Sequence, residues 1–216
     1  MIEEMQKPSK KELEEAMDKR FSPEIYAKLK KAEVAVAGLG GIGSHVAVNL
    51  ARSGVGHIHL VDFDTVDLTN LNRQVYTISH LGRLKTEALK EILLSINPYL
   101  NITIKTIKVT EENAVDIFKD YPIVCEAFDN PDNKAILVNA ILEKCPEIKI
   151  VSASGMAGFG SSNDIKTRRI MKNFYLCGDG VTDAYKGIGL MAGRVNICAG
   201  HEANMVIRLI LGIEEI

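Results

Sequence analysis

The stretch GLGGIG, residues 38–43, follows the apolar run EVAVA and precedes the helix-forming run from Ile42 to about Ser53. Few backbones accept that arrangement. Gly38 permits a tight turn, Gly40 and Gly41 let the main chain approach a phosphate, and Gly43 lets the helix pack close to the strand. The helix start then offers unpaired N–H groups and partial positive charge to an anion. HIHLVD reads as the next strand, ending in Asp62, where a carboxylate can accept both hydroxyls of a ribose. Glycines alone are a weak signal; glycines in a strand–turn–helix–strand unit with Asp62 correctly placed point to a nucleotide. The bland alternative is a tight turn with no ligand.

The remaining pattern repeats the strand and helix alternation. RLKTEALKEILLSIN predicts an amphipathic helix stopped by Pro98, ITIKTIKV a half-exposed strand, and residues 111–118 a helix. PIVCEAF and KIVSAS read as buried strands, with PDNKAILVNAILEKC as a helix between them. NDIKTRRI suits an antiparallel edge strand, and IGLMAGRVNICAGHEANMVIRLILG a closing apolar helix. The expected fold is α/β: a Rossmann-like, doubly wound, mostly parallel sheet with helices on both faces, N-terminal helices and a C-terminal apolar helix. Residues 1–216 read as one nucleotide-binding domain. Within it, 1–31 form an N-terminal helical extension, and the aperiodic residues 171–188 form a candidate mobile loop.

A second set of residues asks for more negative charge than a dinucleotide brings. NLNRQ supplies Asn70, Asn72 and Arg73, and GRLKTEA supplies Arg83 and Lys85. Arg73 can grip a triphosphate bidentately and Lys85 can act as a point charge, as a departing pyrophosphate requires. Asp129, in EAFDNPDN, follows another strand end and suits a Mg²⁺ ligand beside phosphate oxygens, with Asn130 next to it. The bland readings are solvated surface charges for Arg73 and Lys85, and a helix cap for Asp129.

Composition narrows the classes. A net charge of −2 without a strongly basic block does not advertise a nucleic-acid surface. Lys7, Lys10 and Lys11, and Lys166, Arg168 and Arg169, read as solvated faces. No run of about eighteen apolar residues exists to span a membrane, and the start lacks a signal-peptide core, so the cytoplasm is the expected compartment. Cys125, Cys145, Cys177 and Cys198 form no C-x-x-C pair, so no zinc is expected.

GLGGIGS, VDFDTVDLTNLNRQ, the lysine of GRLKTEA and FDN together resemble, in order and spacing, the ThiF/MoeB/HesA family of ubiquitin-activating-like adenylyltransferases. The ending FYLCGDG…GIGLMAGRV…HEANMVIRLILG is similar to the short thiamine-biosynthesis branch. The resemblance implies ATP- and Mg²⁺-dependent adenylation of the C-terminal Gly-Gly carboxylate of a ubiquitin-like sulfur carrier protein of the ThiS type, with release of pyrophosphate. It implies that Gly41 and its turn lie against the phosphates, Asp62 holds the ribose, Asn70, Arg73 and Lys85 contact the phosphates, and Asp129 binds the metal. It also implies a homodimer, in which Arg20 of KRFSPE is the best counterpart of an arginine reaching the neighbouring site, although the usual R-Y-x-R-Q pattern is incomplete. Cys177 falls where some relatives carry a cysteine for sulfur transfer or carrier linkage. His201 is expected in the core or an interface, with no catalytic histidine.

Three other readings stay open: an NAD-dependent oxidoreductase, which leaves Arg73, Lys85 and Asp129 unexplained; a non-catalytic nucleotide-binding module, which does not need that charge clamp; and an adenylyltransferase serving a molybdopterin-synthase-type or other sulfur carrier.

Overall fold

In the computed structural model, which describes residues 7–182 and 187–216, seven strands form one sheet. In chain order the elements are α1 (Lys10–Asp18), α2 (Pro23–Lys31), β1 (Glu33–Ala37), α3 (Gly41–Arg52), β2 (His57–Val61), α4 (Lys85–Ile96), β3 (Asn101–Lys105) and α5 (Glu111–Phe118). There follow β4 (Ile123–Glu126), α6 (Pro131–Lys144), β5 (Lys149–Ala153), β6 (Lys166–Met171), β7 (Phe174–Gly178) and α7 (Ala192–Leu211). The strand order is β3-β2-β1-β4-β5-β7-β6, parallel throughout except for the antiparallel β6 at one edge. This is the expected doubly wound α/β fold, with the chain reversing direction across the sheet between β1 and β4.

The apolar strands have side chains on both faces, and helices cover both. On one face Val46 and Leu50 of α3, Leu89 and Leu93 of α4, and Val206 and Leu209 of α7 pack on Val34, Val36, Ile58 and Leu60. On the other, Ile117 and Phe118 of α5 and Leu137 and Ile141 of α6 cover Ala35, Ala37, Val61 and Val124. Both helix starts near the sheet are built locally. Asn130 caps α6 through its side-chain oxygen, with Pro131 at the first turn. The glycine turn of α3 has no side-chain cap, which leaves its first amides free of side-chain acceptors.

Three expectations change. The segment 171–188 is not one loop: residues 174–178 form β7, inserted between β5 and β6, while 183–186 lie outside the described residues. The strand expected across ITIKTIKV is shorter, because the pairing with β2 ends at Lys105. The N-terminal helices also differ from each other. Tyr26 and Leu29 of α2 are buried in the body of the protein, whereas α1 buries no residue.

Candidate functional site

A cleft of about 750 Å³ opens at the carboxyl ends of β1, β2, β4, β5 and β7, over the point where strand order reverses. Open α/β sheets bind ligands at this place. Its floor begins at the glycine turn. Gly38 adopts φ +86°, and a Cβ there would sit 2.9 Å from the Ala127 carbonyl group. At Gly43 a Cβ would overlap the Gly38 carbonyl oxygen. These two glycines close the turn, while Gly40 and Gly41 line the cleft.

Asp62 joins the turn to β2. Its Oδ2 accepts the Leu39 N–H at 2.6 Å and its Oδ1 accepts the Asp64 N–H at 2.8 Å. Each oxygen keeps a lone pair for a ligand hydroxyl. Burial pushes the Asp62 carboxyl above its ordinary range, and the charge of Lys85 with the amides of Asp64 and Leu39 works against that rise. Lys85, only 6% exposed, lines the same wall and donates to Asp64 Oδ2 at 2.9 Å. Tyr76 anchors the turn from below, donating its hydroxyl to the Leu39 carbonyl at 2.9 Å.

Arg73 and Asn70 also line the cleft. Arg73 is held by its donation to the Thr69 carbonyl at 2.9 Å and to Asn72 Oδ1 at 2.8 Å. Asn70 accepts the Asp67 N–H at 3.1 Å, and Asn72 donates to the Leu190 carbonyl at 3.1 Å. The β2–α4 loop is thereby tied to the segment before α7.

Asp129 stands at the cleft exposed, with no side-chain hydrogen bond or ion pair among the described residues. The cap expected of it falls instead to Asn130, whose oxygen accepts from Asp132 and Asn133 at 2.8 and 3.1 Å. Asn130 is therefore spent on the helix, and Asp129 is left uncommitted. Arg20 lies in the turn after α1, exposed, and does not line the cleft of its own chain. Cys177 corrects the expectation of a reactive loop cysteine. It sits on β7, fully buried, and desolvation pushes its thiol up to about 12, far from the thiolate that sulfur chemistry uses. His201, partly buried on α7, is within 3.2 Å of the Thr167 hydroxyl.

Sequence reasoning missed several groups. Gln74 is 8% exposed and lines the cleft, and its Oε1 has no partner among the described residues. Glu126, fully buried at the end of β4, accepts from Lys134 at 2.9 Å, Ser152 at 2.5 Å and the Phe128 N–H at 2.8 Å. Lys134 and Asn133 line the cleft beside it. A glutamate inside the apolar run PIVCEAF was itself the available signal, because a buried charge in a strand needs partners. Arg194, in the apolar first turn of α7, is a second such case.

The fold and the cleft define a doubly wound α/β protein with its ligand site at the switch point. The chain belongs to the ThiF family, whose sequence profile matches residues 13–216. It is 44% identical over 105 residues to "Adenylyltransferase and sulfurtransferase UBA4" of Kluyveromyces lactis, covering 48% of this chain and 24% of that protein. It is 34% identical over 154 residues to "tRNA threonylcarbamoyladenosine dehydratase" of Haemophilus influenzae, covering 70% of this chain and 58% of that protein. The chain thus spans less than two thirds of these relatives. Among solved structures, E. coli tRNA N6-threonylcarbamoyladenosine dehydratase, TcdA, in complex with AMP shares the fold at TM-score 0.83 and 22% identity, covering 92% of this chain and 93% of that one. No helix among the described residues is long and apolar enough to cross a membrane.

Proposed function

We propose that this protein uses ATP and Mg²⁺ to adenylate the C-terminal Gly-Gly carboxylate of a ubiquitin-like sulfur carrier protein, of the ThiS type that serves thiamine thiazole synthesis. The observation that carries the reading is the uncommitted carboxylate of Asp129, facing one cleft with the free glycine turn, Asp62, Arg73 and Lys85. Membership of the ThiF family supports it, as do the relatives named as adenylyltransferases and the TcdA structures with AMP and ATP.

The donor set fits both groups. Asp62 can accept ribose hydroxyls, and the orphaned Gln74 oxygen offers an acceptor to the nucleotide. One free carboxylate suits Mg²⁺, which commonly completes its shell with phosphate oxygens and water. Magnesium, when bound, supplies positive charge at the phosphates. The chain's own part is to hold the α-phosphate in line with the carrier's carboxylate. That oxygen forms a bond to the α-phosphorus as the bond to the pyrophosphate oxygen breaks, giving an acyl-adenylate. Arg73 and Lys85 stabilise the charge gathered on the leaving group. No general base is required, because the nucleophile is already ionised. The assembly we expect is a homodimer, with Arg20 entering the neighbouring site.

The experiment is ATP–pyrophosphate exchange with magnesium, with and without carriers ending in Gly-Gly. Exchange that depends on a ThiS-type carrier is expected; exchange with a molybdopterin-synthase-type carrier alone would move the pathway. A second reading, a carboxylate on a tRNA nucleoside as substrate, is favoured by the similarity to the Haemophilus dehydratase. It predicts exchange driven by tRNA instead. ATP binding without exchange under either condition would favour a non-catalytic module.

A further inference from the structure

The cleft has a wall that none of the nucleotide-facing groups occupies. Gly180, Val181 and Thr182, with Gly155, Met156 and Ala157, line it beyond β5 and β7. Those strands follow β1 and β4 in the sheet, so β7 lies four strand spacings, about 19 Å, from the strand that carries Asp62. Asp62 and Arg73 lie on the loop after β2, and Lys85 opens α4 at the end of that loop. The far wall is made of small or uncharged residues, which suits the second substrate and not a polyphosphate.

That wall is held by one buried ion pair. Arg194, in the first turn of α7 and 5% exposed, donates to Asp179 Oδ2 at 2.5 Å and to the Ser161 carbonyl at 2.7 Å. Asp179 in turn accepts the N–H groups of Val181 and Thr182, both at 2.8 Å, and the Thr182 hydroxyl at 2.7 Å. Its own N–H donates to the Gly155 carbonyl at 2.8 Å, and that of Gly180 to the Ser154 carbonyl at 3.1 Å. The main chains after β5 and β7 are so close that a Cβ on Gly178 would overlap the Ser154 carbonyl oxygen.

The placement of Arg194 is costly in three ways. A cation opposes the positive end of a helix dipole, it is almost fully desolvated, and its Nε has no hydrogen-bond partner among the described residues. Buried pairs seldom add stability over apolar side chains of the same size, and their best-attested use is to specify geometry. Burial pushes the Asp179 carboxyl up, but hydrogen bonds from Thr182 and Val181 and the charge of Arg194 outweigh it and hold the group below its ordinary range.

We propose that Arg194 and Asp179 form a positioning pair that shapes the far wall of the cleft for the carboxylate-bearing substrate and leaves the nucleotide end untouched. The pair touches neither substrate; it acts through the backbone of residues 179–182 and 154–157. This rests on the adenylation reading above, with the substrate an extended tail of small residues.

The test is the double variant Asp179→Ala/Arg194→Met in the full chain, which removes both charges together, so that no lone buried ion is left, and also removes the acceptor of the Val181 and Thr182 amides. In pyrophosphate exchange with a Gly-Gly carrier, its KM for the carrier should rise roughly tenfold or more, while its KM for ATP stays within about twofold. Arg194→Lys, which keeps the charge, should fall between. A parallel rise in both KM values, or an unchanged carrier KM, would overturn the proposal. If the wild-type protein shows no exchange with any carrier, the adenylation reading fails separately. Amide hydrogen exchange then judges the pair: Val181 and Thr182 must lose protection in the double variant while Leu39 keeps it, and equal protection of Val181 and Thr182 in both proteins refutes the positioning role.

Discussion

Replacing Asp62 separates the folding role of its carboxylate from its binding role. Asp62→Ala removes the acceptor of two backbone amides, of which Leu39 belongs to a fully buried residue. A buried donor left unpaired costs about 1–3 kcal/mol, and the Asp64 amide, nearer solvent, costs less. The expected loss is about 2–4 kcal/mol, a fall in Tm of about 5–15 °C for a chain of this size. Asp62→Asn behaves differently. It keeps one oxygen acceptor and removes a charge whose burial the fold opposes, so its stability should lie within about 1 kcal/mol of wild type. The folded carboxyl has a raised pKa, so its contribution to stability is complete below the ordinary value of 3.8 and is lost as pH rises through the raised one. The Asn variant should therefore lack that acidic slope. For a nucleotide, however, a charged acceptor of a ribose hydroxyl is worth about 1.5–3 kcal/mol, a roughly 10- to 150-fold change in Kd. Thermal unfolding from below the ordinary value of 3.8 to above the raised one, paired with calorimetric titration of a non-hydrolysable ATP analogue, measures both terms. An Asn variant as unstable as the Ala variant, or one that binds the analogue as tightly as wild type, would refute the reasoning.

Asp129→Ala should abolish carrier-dependent exchange with no change in Tm, since its side chain makes no described bond; substantial turnover would remove its metal role. Gly43→Ala should fail to fold or lose more than about 3 kcal/mol, because the added methyl overlaps the Gly38 carbonyl, whereas Gly40→Ala, with nothing nearer than 3.9 Å, should fold normally; urea titration compares them. Glu202 is fully buried on α7, both oxygens lack partners among the described residues, and desolvation, then Glu126, raises its pKa well above the ordinary range. Burial thus favours its uncharged form, and its contribution to stability falls as pH rises from the ordinary value of 4.5 toward the raised one. Glu202→Gln should match wild type below the ordinary value of 4.5 and hold Tm increasingly better as pH rises above it; identical profiles of Tm against pH would count against a buried neutral carboxyl.

The two halves of the chain were unequally readable. From β1 to α6, apolar strands and amphipathic helices alternate with clear stops, and the glycine turn fixes where the first strand hands over to the first helix. Strand β7 gave no such signal. FYLCG is short, carries no alternation, and is stabilised by pairing with β5, a partner more than twenty residues away. The cleft residues on loops after β1, β2 and β4 announced themselves as polar groups at strand ends. Glu126, Asp179 and Arg194 did not, because their partners lie in other elements, and a lone charge in an apolar run does not say what neutralises it. Asp129 and Asn130 show the same gap at the shortest range: either could cap α6, and backbone geometry assigned the task to Asn130.

Helix α1 sets the behaviour of the N-terminal arm. It is nine residues long and buries none of them, held by the Ser9–Glu12 capping box, the Lys30–Glu14 pair and the turn that leads into α2. Nine residues are too few for a helix to persist unaided in water, so α1 draws its order from the surface beneath it. Peeling it away exposes little apolar area, and the free energy of that opening lies far below that of unfolding the sheet. The arm therefore frays and re-forms many times within the lifetime of one folded molecule. Proteases and partner chains meet it as an intermittently open segment while the cleft stays intact.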